Sequence, residues 1–155
     1  MPYKTGSWGK QAKDRYKKRQ LSGELKKRSL DYYHKNKKGE YSIGYIGELE
    51  AKNILHTKKI DKKFGYDFVW KNKKIDVKTS IIKKHPKWNT NYWKFLLYHQ
   101  KGKVDYFLII CKDVGKKTKY IFLIPDKDLP NNNLVINIHK VNKYFRYLFN
   151  PTHNI

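Results

Sequence analysis

The stretch Gly65-Tyr66-Asp67-Phe68-Val69-Trp70-Lys71-Asn72-Lys73-Lys74-Ile75-Asp76-Val77-Lys78-Thr79-Ser80 reads as a β-hairpin. Tyr66 to Trp70 is aromatic and β-branched, as is usual for a strand. Ile75 to Thr79 alternates apolar and polar residues, the pattern of a second strand. Between them lie one Asn and three Lys, with nothing apolar. Asn tolerates positive φ, which makes Asn72-Lys73 the expected two-residue turn.

That turn sets a register in which Lys71 faces Lys74, Val69 faces Asp76 and Asp67 faces Lys78. Side chains alternate along a strand, so Asp76 and Lys78 share one face and Val77 points away. Asp67 falls on the same face, diagonal to Asp76 at roughly 7–8 Å between α-carbons. A slip of one residue would send Asp67 to the other side. Tyr66, Phe68, Ile75 and Val77 are expected on the opposite face, in a core.

Two carboxylates and a lysine on one face suit phosphodiester cleavage. Hard oxygen ligands suit Mg²⁺, which retains water and accepts phosphate oxygens. Such an ion acidifies a water and offsets charge building on the phosphate. A lysine beside that water can stabilise hydroxide or take its proton. The competing reading is a solvated strand face carrying a weak ion pair.

Asp67 followed by Asp76-x-Lys78 across a hairpin resembles the PD-(D/E)xK, or restriction-endonuclease-like, nuclease superfamily. In that family an acidic residue sits on a helix before the hairpin. Gly47-Glu48-Leu49-Glu50-Ala51 supplies the matching segment, with Glu48 at the matching position. Tyr66 stands where the family name has proline. The resemblance covers roughly Ile43 to Pro125. It implies that Asp67, Asp76 and the Val77 carbonyl hold Mg²⁺, that Lys78 positions or activates water, and that Glu48 supports the site or binds a second metal. Small size, charge and a basic extension make the small intron-encoded homing endonucleases the most similar branch. A Holliday-junction resolvase is the alternative within the superfamily.

Composition points to the same partner. The 155 residues carry 36 Lys and Arg against 13 Asp and Glu, a formal charge of +23. So strong a field favours a polyanion. Aromatic residues make up 15% of the chain, which argues against a disordered basic tail and offers surfaces for base stacking. No apolar run is long enough to cross a membrane and no signal peptide is evident, so an intracellular site is expected: cytoplasm, organelle or virus-infected cell. The single Cys111 lies in an apolar strand-like run, and scattered His residues give no zinc spacing.

Met1 to Tyr41 reads as a basic arm of one or two helices. Lys17, Lys18 and Arg19 form one cluster and Lys26, Lys27 and Arg28 another, both expected to contact DNA. Residues 42–155 then form the catalytic domain. Gly44 to His56 has helical periodicity, with Glu48 and Glu50 in its first turns, where the helix dipole favours acids. Lys58 to Phe64 is expected as a short strand. Ile81 to Asn91 is expected as a loop whose Lys83, Lys84 and Lys87 reach DNA. Strands follow at Tyr92–Tyr98, Val104–Cys111, Lys119–Ile124 and Leu134–Ile138. Val141, Tyr144, Phe145, Leu148 and Phe149 suggest a C-terminal α-helix.

These elements predict an α/β domain with a mixed central sheet of five or six strands flanked by helices. The expected function is Mg²⁺-dependent cleavage of double-stranded DNA by a homodimer or homotetramer. A non-catalytic nucleic-acid-binding protein is the alternative outside the enzymes.

Overall fold

The computed structural model describes residues 42–58 and 65–150. The basic arm, with Lys17, Lys18, Arg19, Lys26, Lys27 and Arg28, lies outside the described residues, as does nearly all of the strand expected at Lys58 to Phe64.

Helix α1 spans Ile43–Leu55. Strands β1 (Phe68–Trp70) and β2 (Lys73–Ile81) form the hairpin, followed by β3 (Lys83–Lys84) and β4 (Asn91–Leu96). Strands β5 (Tyr106–Lys112), β6 (Thr118–Pro125) and β7 (Asn133–Asn137) complete the set. A 3₁₀ helix at Ile138–Tyr147 follows β7. No helix among the described residues is long and apolar enough to cross a membrane.

The strands form two sheets rather than one sheet of five or six. The first has the order β1-β2-β5-β6 and is mixed, because β2 pairs antiparallel with β1 and parallel with β5. The second is antiparallel, in the order β3-β4-β7. Helix α1 covers one face of the first sheet and the second sheet covers the other. This sandwich explains the nearly continuous apolar run in β5. Leu108 and Ile110 pack toward α1, whereas Phe107, Ile109 and Cys111 pack toward the second sheet. A strand buried on both faces has no polar side to show.

The hairpin forms two residues away from its expected register. Phe68 pairs with Ile75, Val69 with Lys74 and Trp70 with Lys73. The turn is therefore Lys71-Asn72, with φ of 48° and 63°. Positive φ at both central residues suits a type I′ turn, whose twist matches that of the strands. A shift of two residues preserves every face, so Asp76 and Lys78 still project away from Ile75 and Val77. Phe68, Ile75 and Val77 enter the helix-side core as expected, but Tyr66 packs against the core between the sheets.

The expected loop at Ile81 to Asn91 contains the tail of β2 and all of β3. Lys83 pairs with Tyr92 and Lys84 with Asn91, making a β3–β4 hairpin. The C-terminal segment is 3₁₀ rather than α. Val141, Tyr144 and Tyr147 recur every three residues, and all contact the core between the sheets. A 3₁₀ helix has three residues per turn, so that spacing forms one inward line. Phe145 and Leu148 remain 43% and 42% exposed.

Helix α1 lies tight against β2 at Gly47. A β-carbon built there would lie 1.7 Å from Thr79 Oγ1 and 2.8 Å from Thr79 Cβ. Thr is branched at Cβ and stiff, so it cannot swing clear cheaply. Gly47→Ala should therefore destabilise the protein by about 1–3 kcal/mol through overpacking, outweighing the roughly 1 kcal/mol gained in helix propensity. A urea titration should show a lower midpoint; an equal or higher one would mean that α1 does not need this approach.

Candidate functional site

Strand β1 pairs with β2 only from Lys73 to Ile75. Beyond that point the backbone of β2 takes a side-chain partner. The Val77 N–H donates to Asp67 Oδ2 at 2.8 Å. Asp67 itself lies just before β1, and its own N–H donates to the Ile75 carbonyl at 2.9 Å. The sequence thus ends the ladder with a carboxylate, and this fixes Asp67 beside the polar face of β2.

Asp67 and Asp76 are 6% and 4% exposed. Two nearly buried carboxylates in proximity raise each other's cost of ionisation. Asp76 is pushed up from its usual 3.8 to about 7, first by burial and then by the negative charge of Asp67, with Lys78 opposing both. Lys78 Nζ lies 3.2 Å from Asp76 Oδ2. The same ammonium donates to Gln100 Oε1 at 2.8 Å. Asp76 Oδ2 is thus buried beside a cationic neighbour without a well-aligned hydrogen bond. A buried carboxylate pair that already draws one cation is suited to receive another.

These groups border one pocket of about 140 Å³, walled by Glu48, Tyr66, Asp67, Asp76, Val77, Lys78 and Gln100 among others. The structure therefore brings together all four residues expected to be catalytic: Glu48 from α1, Asp67 before β1, and Asp76 and Lys78 from β2. Glu48 is the sixth residue of α1, and no acid lies in the first turn. The dipole effect fades beyond the first turn and does not account for Glu48. Among the described residues, no three Asp, Glu, His or Cys side chains converge on one point as a ready cage for a metal. The donor set is instead an open one of two neighbouring carboxylates and the Val77 main chain. Mg²⁺ is commonly held by one or two carboxylates with water and phosphate completing its shell, so these residues fit the ion.

Lys83, Lys84 and Lys87 do not line the pocket; they are exposed on and beside the β3–β4 hairpin. Gln100 carried little weight in the sequence. It follows Lys78 by 22 residues in a turn, and no periodicity links the two. A second polar cluster had no signal either. Lys112, 3% exposed, donates to Glu50 Oε2 at 2.7 Å and to Thr118 Oγ1 at 2.8 Å. Thr118 in turn donates to Glu50. This cluster ties α1 to β5 and β6 and so helps to set the side from which Glu48 enters the pocket.

No family model matches the chain, and no curated protein matches it in sequence.

The raised pKa of Asp76 predicts a pH-dependent stability in the absence of divalent metal. The fold favours the protonated form, so this stabilisation is complete below about pH 4 and disappears as pH rises through about 7. Asp76→Asn removes the buried charge at similar volume. It should raise Tm at pH 8 in chelator and raise it by a clearly smaller amount at pH 5. A loss of Tm equal at both pH values would show that Asp76 imposes no such cost.

Proposed function

We propose that this protein is a Mg²⁺-dependent endonuclease that hydrolyses phosphodiester bonds in double-stranded DNA, and that it works as a site-specific enzyme of the PD-(D/E)xK type. One observation carries the reading: Asp67, Asp76 and Lys78 share a pocket with Glu48, and the two aspartates there are nearly buried with the Lys78 ammonium beside Asp76. The +23 charge supports DNA as the substrate.

Asp67 and Asp76 would hold the ion with the Val77 carbonyl. Bound there, Mg²⁺ would offset the charge of the phosphate and acidify a water. Asp67 is already oriented by the Val77 N–H, so little reorganisation is needed to present its carboxylate. Lys78 donates to the attacking water or to a phosphate oxygen, and Gln100 holds its ammonium on the pocket side. Glu48 faces the same space from α1 and orients water or supports a second ion. The described residues of each chain form one such carboxylate pocket, so cutting both strands at one site calls for at least two copies.

The decisive measurement is cleavage of supercoiled plasmid, linear duplex and four-way junctions with Mg²⁺ or chelator. Asp76→Asn and Lys78→Ala should each lower turnover by at least about 100-fold while DNA binding persists. Gln100→Ala should lower turnover less than Lys78→Ala, because it frees the ammonium without removing it. Wild-type rates in Asp76→Asn would end the nuclease reading. Preference for four-way junctions would identify a resolvase instead of a homing-type enzyme.

A further inference from the structure

The second sheet is depleted of negative charge. From residue 77 to 104, and again from 129 to 155, the chain contains no Asp or Glu. These stretches include β3, β4, β7 and the 3₁₀ helix, so the whole second sheet is built from acid-free sequence. Its outward positions alternate with the buried Trp93, Phe95, Leu134 and Ile136. Lys83 pairs with Tyr92, and Lys94 with Val135, across that outward face.

The tip of the β3–β4 hairpin adds an unusual feature. Trp88 is 68% exposed, and its ring stacks on His85 at 4.4 Å between centroids and 11° between planes. Tyr92 follows, 6.2 Å from His85. The loop that carries this array is held by its own hydrogen bonds. His85 Nδ1 accepts from the N–H groups of Lys87 and Trp88, and the His85 N–H donates to the Thr90 carbonyl. Thr90 Oγ1 also bonds Asn137 on β7. One side of the indole is backed by His85, and its high exposure leaves the rest to solvent. A single exposed apolar residue ordinarily needs no explanation. A braced indole flanked by lysines on an acid-free layer is a different case.

We propose that the outer face of the second sheet is a DNA-binding surface and that Trp88, backed by His85, stacks on an unpaired or opened base of the bound duplex. Lys83, Lys84 and Lys87 hold the phosphates on either side. Stacking on an aromatic face accepts any base, whereas lysines meet the backbone, so the two together bind distorted DNA with little sequence preference of their own. The choice of DNA rests on the nuclease reading. From Asp76 to Trp88 the chain can span at most about 40 Å, so the stacked base lies within about twelve base-pair steps of the scissile phosphate.

The test uses the full chain carrying Asp76→Asn, in chelator, so that binding is read without cleavage. The probes are a random-sequence duplex and the same duplex with a two-nucleotide bulge containing 2-aminopurine. The parent should prefer the bulged probe and alter its 2-aminopurine fluorescence. Adding Trp88→Ala should abolish that preference by about five-fold or more, and Trp88→Phe should retain most of it. Replacing Lys83, Lys84 and Lys87 with Ala should weaken both probes and flatten the salt slope by roughly 2–3 units. An undiminished preference in Trp88→Ala, or none in the parent, overturns the proposal. The two readings fail separately. Normal cleavage by wild type with no effect of Trp88 removes the stacking surface alone. The expected binding pattern without any cleavage by wild type removes the nuclease alone.

Discussion

The hydrogen bond from the Val77 N–H to Asp67 Oδ2 does two jobs at once. It satisfies a backbone donor on a central strand where β1 no longer reaches, and an unsatisfied buried N–H there would cost about 1–3 kcal/mol. It also fixes a carboxylate beside Asp76, which burial already disfavours as an anion. Finishing the sheet and charging the pocket are therefore the same event. The strain is electrostatic, and Lys78 only partly relieves it because burial and the Asp67 charge outweigh its pull.

The other layers hold this arrangement from both sides. Gly47 lets α1 close on Thr79, one residue beyond Lys78, and this brings Glu48 to the pocket wall. Lys112, Glu50 and Thr118 fix the same helix to β5 and β6 through an ion pair whose lysine is buried. Breaking such a pair leaves a buried charge uncompensated, so it specifies position more than it adds stability. On the opposite face the second sheet seals the core, and the turn after β4 delivers Gln100.

The site was more legible in the sequence than the architecture around it. Asp67, Asp76 and Lys78 share a face under any even register because side chains repeat every two residues. An error of two residues at the Lys71-Asn72 turn therefore left the face intact. The division into two sheets was not legible, since β3 is two lysines long and has no apolar alternation. The C-terminal helix was misread because Val141, Tyr144 and Leu148 suit a period near 3.6. Tyr147 was the discriminating residue, and it makes the spacing three. Gln100 and the Lys112 cluster are joined only by long-range contacts, which local pattern cannot supply.

The distribution of acids separates the functional reading from the bland one. Eight Asp and Glu residues lie among those described. Five have evident structural work away from the pocket. Asp105 accepts from the Lys74 N–H at the start of β2, and Asp113 closes a turn on the Lys117 N–H. Asp126 accepts from the Gly102 N–H and pairs with Lys101; Asp128 accepts from the Tyr147 hydroxyl. Glu50 neutralises the buried Lys112. The remaining three, Glu48, Asp67 and Asp76, line a single pocket. A solvated strand face would keep its carboxylates in water near their ordinary pKa. Here one is pushed up to about 7 in the interior of a strongly basic protein, although the Lys78 ammonium lies 3.2 Å from it. One lysine does not offset that cost, whereas binding a further cation between the two aspartates would turn it into affinity.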